Sequence, residues 1–225
     1  MKSKLVLLVS LPVIAFSAQN RGVDRNPEMC PREKECPQAT SITAMPTTLP
    51  VAELIAAYEE ERMAHDLYIA AAARWNLPVF ANIAAAEVRH ASAVQQLAAT
   101  VEATVPTAAT GVYSTPEIQS MYDQLLVLIE GSESGALQAG ALVEETDIMD
   151  LRSLKTRATD ATTVAVLSNL ERASFNHLNA FVQNLAARGI TYTPKVMTRE
   201  EFAAVVSDPN TRGPSRGFGG NRGRF

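Results

Sequence analysis

Ile83-Ala-Ala-Ala-Glu87-Val-Arg-His90-Ala-Ser-Ala-Val94 has the period of a helix, but two polar groups stand where its core face should be. Ile83, Glu87, His90, Val94 and Leu97 recur at steps of four, three, four and three, which puts them on one side of a helix. Carboxylate and imidazole three residues apart share that side and can reach a common point. An ionised carboxylate buried without a partner costs several kcal/mol. Such a residue at a core position therefore needs a compensating charge.

The same anomaly recurs in three other segments. From Pro50 a stripe of Leu54, Tyr58, Glu61, His65, Tyr68 and Ala72 runs until Trp75-Asn76-Leu77-Pro78 ends the helix. The Glu87 helix is expected over about 79–100. A third, over about 134–158, turns Leu137, Ala141, Glu144, Asp147 (or Ile148), Leu151 and Leu154 inward. A fourth, over about 160–188, carries Val164, Leu167, Leu170, Ser174, His177, Phe181 and Leu185, and Gly189 is placed to stop it. A short helix from Ser114-Thr-Pro-Glu117 to Leu128 belongs to the connection between the second and third of these. Two short-looped helix pairs with a long connection between them give an all-α fold, a four-helix bundle with one long crossover of the ferritin-like kind. Composition agrees, since 47% apolar but only 6% aromatic residues, with much alanine, favours close-packed helices over strands.

Four domains or segments are expected: a signal peptide over 1–18, a flexible leader over 19–49, the bundle over 50–188, and a short helix with an Arg/Gly-rich tail over 189–225. Lys2 and Lys4 precede an apolar run from Leu5 to Phe16, with small residues at Ala15, Ser17 and Ala18 for cleavage. That run is short of the ~20 residues of a spanning helix. A periplasmic or secreted protein follows, with no stable membrane anchor after cleavage. Cys30 and Cys36 in such a chain point to one local disulfide ahead of a zinc or redox pair. Thr198-Arg-Glu-Glu201 has the form of a capping box for the short helix. Arg212, Arg216, Arg222 and Arg224 in the Gly-rich end are too few for a specific nucleic-acid site and fit a nonspecific tail.

Glu61, Glu87, His90, Glu144, Asp147 and His177 thus form one inward set of carboxylates and imidazoles. Oxygen and imidazole ligands suit iron, with two ions expected, and manganese or zinc are other occupants; copper(I) is disfavoured because neither thiolate nor methionine joins the set. His65 is read as a packing residue or as one that supports a ligand from behind. Tyr58 and Tyr68 either pack or orient a ligand carboxylate, and Glu60 and Glu145 are expected to point away into solvent.

Glu61-Arg-Met-Ala-His-Asp-Leu-Tyr68, Leu77-Pro-Val-Phe-Ala-Asn-Ile83, Glu87-x-x-His90, Glu144-Glu-Thr-Asp147 and Asn176-His-Leu178 resemble the ferritin-like family named domain of unknown function 2202, over about 51–187. More distantly the pattern is similar to rubrerythrins, which bind two irons and reduce peroxide. That resemblance places Glu61, Glu87, His90, Glu144 and His177 on ligand positions and Asp147 on a third-helix carboxylate position. Ser174 stands where rubrerythrins have Glu. The sequence has no Cys-x-x-Cys pair of the kind a rubredoxin-like electron donor uses. The function expected is oxidation of iron(II) or reduction of peroxide or dioxygen, with a manganese-catalase-like activity as a variant. The alternative is a non-enzymatic metal-binding or interaction bundle. Expected partners are metal ions and small oxidants, with a homodimer open.

Overall fold

The structure, a computed structural model, describes residues 47–207. Those residues form six helices and no strand: α1 (Val51–Trp75), α2 (Pro78–Ala99), α3 (Pro116–Gly131), α4 (Glu133–Arg157), α5 (Ala161–Ala186) and α6 (Arg199–Ser207). The expected signal peptide, the expected disulfide between Cys30 and Cys36 and the arginine tail lie outside the described residues.

Local chemistry sets the ends. Pro78 and Pro116 occupy first-turn positions, where the missing N–H costs nothing. Asn76 takes the left-handed conformation (φ 49°) and returns its N–H to Ala72, so α1 stops before the proline is reached. Ser132 caps α4 through the Gly135 N–H, and Asp160 caps α5 through the Thr163 N–H at 2.7 Å. Thr198 and Glu201 close the expected capping box of α6 from both sides.

The four long helices make a bundle in which α1 pairs with α2 and α4 with α5. Weaker α1–α4 and α2–α5 contacts close it; α3 lies against α1 and α4, and α6 against α5. Two apolar clusters fill the interior. The larger holds Leu67, Tyr68, Phe80, Ile148, Leu178 and Phe181. The smaller holds Leu54, Val94, Leu97, Leu151, Leu167 and Leu170. Along α1 and α5 the smaller cluster comes first, and along α2 and α4 the larger does, so α1 and α5 run opposite to α2 and α4. In α1, α2 and α5 the proposed acid or imidazole lies between the two clusters, and in α4 Glu144 and Asp147 lie at the end of the larger one. The polar residues are a single layer across the bundle.

Acids on the flank of α1 hold the α2–α3 connection. Glu59, fully buried, accepts from the Ser114 N–H, the Ser114 hydroxyl and the Thr115 N–H at 2.6, 2.9 and 2.8 Å. Asp66 accepts from the Gly111 N–H and the Tyr113 hydroxyl. Arg62 donates to Ala108 O at 3.2 Å and lies over the Tyr58 and Tyr113 rings. Among the described residues no helix is long and apolar enough to cross a membrane.

Candidate metal centre

Glu87 is the middle of the polar layer. Its Oε2 lies 2.6 Å from Nδ1 of His90, and its Oε1 lies 2.9 Å from Nδ1 of His177. Glu61 approaches His90 from α1 at 3.4 Å, and Glu144 approaches His177 from α4, also at 3.4 Å. The two imidazoles are stacked, with centroids 5.4 Å apart. One carboxylate thus faces both rings, and a second carboxylate flanks each ring.

These contacts are short, yet they lack the alignment of hydrogen bonds. Oε1 of Glu61, Oε1 of Glu87, Nδ1 of His90 and Nδ1 of His177 are all buried without a hydrogen-bond partner. Buried polar groups are nearly always satisfied, so four orphans facing one another need an explanation. Ligand-type oxygens and nitrogens that converge in this way fit a cation. Glu87, His90 and His177 each bring a ligand atom within 4.8 Å of the others, so this triad can hold a metal ion.

Asp147 does not touch the imidazoles. It accepts from the Ser174 hydroxyl at 2.5 Å, while Ser174 also donates to Leu170 O. The α4 carboxylate therefore lies against α5 at Ser174, three residues before His177. Glu171, one turn before Ser174, is engaged by Arg152 at 2.8 Å and Lys155 at 2.5 Å. The alternative inward residue, Ile148, is fully buried in the larger apolar cluster.

Tyr68 supports the layer from below. Its hydroxyl donates to Oε1 of Glu144 at 2.6 Å, and its ring packs on Phe181 at 5.2 Å. Gly140 makes room for that ring, because a Cβ there would meet Phe181 at 2.6 Å. Of the two tyrosines on the stripe, Tyr68 is thus the one that orients an acid of the layer; Tyr58 packs against Arg62. His65 bonds Asp66 at 2.9 Å and takes no part in the cluster.

Proton affinities follow from this crowding. Burial raises the Glu61 carboxyl to about 8, with His90 pulling down and Glu87 pushing up. Burial opposes charge on Glu87 too, but the two imidazoles outweigh it and hold it near 2. Burial disfavours the imidazolium forms, yet Glu61 and Glu87 lift His90 to about 10, and Glu144 and Glu87 lift His177 to about 11. Burial, with the Glu61 and Glu144 charges, pushes Asp147 well up. Without a cation, protons balance the layer.

Two expectations fail. Glu145 is not solvated: it is fully buried and accepts from the Tyr192 hydroxyl and from the N–H groups of Lys195, Val196 and Met197, at 2.5 to 3.1 Å. Glu60 does not point away either. It lines the inner cavity with Glu61 and Asp147, and burial together with Asp150 and Asp147 raises its carboxyl well above the usual range. Met63 and Met121 line the same cavity, so thioethers do stand beside the acids. The partners of Glu145 come from a loop about fifty positions away, which helical periodicity does not register; the exposed alternation after Gly189 offered no warning.

Comparison with known proteins finds a relative whose sequence and crystal structure both resemble this chain. The uncharacterized protein MJ0754 of Methanocaldococcus jannaschii is 34% identical over 165 residues, covering 72% of this chain and 89% of the relative. The crystal structure of hypothetical protein MJ0754 from Methanococcus jannaschii superposes with a TM-score of 0.69 at 32% identity, over 72% of this chain and 99% of that one. Residues 51–209, which include every residue of the polar layer, match the uncharacterized protein domain DUF2202, and the chain belongs to that family.

Proposed function

We propose that this protein is a ferritin-like metal protein, its polar layer holding two iron ions and acting as an oxidoreductase on iron(II), peroxide or dioxygen. The observation that carries this reading is the placement of Glu87 between His90 and His177, with four ligand-type atoms left without hydrogen-bond partners. The chemistry of the donors fits: Glu61, Glu87, Glu144 and Asp147 bring negative charge, and His90 and His177 bring one imidazole to each side. The antiparallel helix pairs and the long α2–α4 connection support the ferritin-like build. Iron bound there would supply one-electron exchange with small oxidants. Tyr68 holds Glu144 in place, Ser174 holds Asp147, and the flanking apolar clusters keep water from the layer. Export to the periplasm or medium, as the N-terminal sequence suggests, belongs to the same proposal.

Elemental analysis of the protein purified from its own compartment, together with peroxide turnover, tests this. Iron near two per chain is expected, with loss of bound metal in Glu87→Ala and His90→Ala. Absence of bound metal, with both variants as stable as the native chain, would sink the proposal. One observation favours a second reading. The cavity beside the acids has room for about one water, about 10 Å³, which leaves no space for an oxidant next to an ion and suits a binding or interaction bundle. Bound zinc without oxidant turnover would select that reading.

A further inference from the structure

We propose that a divalent cation reaches the centre through the groove between α1, α3 and α4, and that Glu60 passes it inward. This rests on the metal-binding reading above. Two hollows meet at Glu60. The inner one is walled by Glu61, Glu87, Glu144 and Asp147. The outer one, a groove of about 290 Å³, is bordered by Glu53, Glu117, Asp150 and Arg157. Glu60 stands in the wall of both.

Exposure falls along this line. Glu117 and Asp150 are exposed, Glu60 is half-buried and Glu61 is 3% exposed. Glu60 shares the wall of the outer groove with Asp150 and the wall of the inner hollow with Asp147. A hydrated divalent ion gives up its waters reluctantly, and carboxylate oxygens along its path can take their place. Glu60 is the residue adjacent to acids on both sides. At the inner end stands Oε1 of Glu61, a buried oxygen with no hydrogen-bond partner.

Charge selects the route. The groove has four acids and one base, Arg157, which is itself held by Glu53 at 2.9 Å. Low-dielectric walls lined by one sign of charge concentrate the opposite ion. The opening on the other side of α1, between α1 and α2, has the reverse character. Arg62 and His65 line it with Tyr58 and Ser92, and its acid, Glu87, is one the two imidazoles already face.

The test mixes cobalt(II) with the full chain after chelator treatment and follows uptake by absorbance. Glu60→Gln and Asp150→Asn are expected to load about tenfold more slowly, the lower end of what charge focusing gives an on-rate. Final occupancy should equal that of the native chain, and added salt should shrink the difference. Ser92→Phe, which obstructs the α1–α2 opening, should load at the native rate. Native-rate loading by both acid variants, or slow loading by Ser92→Phe alone, overturns the route. Lower final occupancy at native rate also overturns it, since Glu60 would then be a ligand. If Glu60→Gln does not fold, Asp150→Asn on the exposed edge decides the matter. A native chain that takes up no cobalt sinks the metal reading itself; native uptake with unaltered variants sinks the route alone.

Discussion

Glu144 and Glu145 are neighbours in α4, both almost fully buried, and their environments are opposite. Glu145 faces a preformed cradle, with three backbone N–H groups and the Tyr192 hydroxyl around its carboxylate. Glu144 meets one donor, Tyr68, and an imidazole that is not aligned to bond it. Glu59 resembles the first and Glu61 the second. Burial of an acid is therefore no mark of a reactive site by itself. What separates the two kinds is whether the protein supplies enough donors.

The contrast breaks most visibly at Glu145. Glu145→Ala leaves a buried hydroxyl and several N–H groups without an acceptor, and a loss of about 3 kcal/mol or more is expected. Thermal unfolding measures this, while metal bound per folded chain should be unchanged. If Glu145→Ala stripped the metal from protein that remains folded, the division between structural and site acids would be wrong.

The centre should respond to pH instead. At neutral pH without metal, His90 and His177 are imidazolium, with pKa values raised to about 10 and about 11. Two cations displace a proton from each imidazole, one per ion, so each binding step should strengthen about tenfold per pH unit near neutrality. Titration of cobalt(II) at several pH values reads this, and a pH-independent affinity would contradict it. Stability of the stripped protein should move the other way. The folded form holds protons more tightly at Glu61, His90 and His177, so their contribution is complete below the ordinary values of 4.5 and 6.5. It is lost as pH rises through about 8 and then 10 to 11. Glu87, held near 2, acts oppositely and loses its contribution only in strong acid.

Gly140 links packing to the centre on the Glu144 side. Gly140→Ala forces Phe181 off its place against Tyr68, for which overpacking costs about 2 kcal/mol. Chemical denaturation measures that loss. Compensation in Phe181→Leu/Gly140→Ala would confirm the ring as the cause.

Much of this was legible in the chain because it repeats at the helical period. Leu54, Glu61 and Tyr68, or Ile83, Glu87 and Leu97, are buried on the faces their spacing marks. The proline, asparagine and capping signals fix helix ends within a few residues of those expected. What escaped the reading is long-range. Nothing near Glu59, Glu60 or Asp66 in sequence reveals that Ser114, Asp150 or Gly111 will meet it. Acids that bind loops and acids that face one another have the same spacing on a helix, and only the partners, about forty-five to ninety positions away, tell them apart. The Ser174 departure shows the same limit. Its hydroxyl and Asp147 lie together because α4 and α5 pack side by side, which a one-helix pattern cannot specify.

The finest distinction is at Tyr68. Burial, with the Glu144 charge beside it, raises the Tyr68 hydroxyl well above its ordinary pKa, so it remains a donor across the working range. Tyr68→Phe keeps the ring on Phe181 and removes only the bond to Glu144. If Tyr68 merely packs, cation affinity should not change. If it orients the carboxylate, affinity should fall about tenfold, as when a ligand loses its supporting partner. Because Glu144 flanks His177 and not His90, the loss should be confined to one of two binding steps in calorimetric titration with cobalt(II). Equal weakening of both steps would mean that the two halves of the layer are not separable, and that Glu87 couples them through its two oxygens.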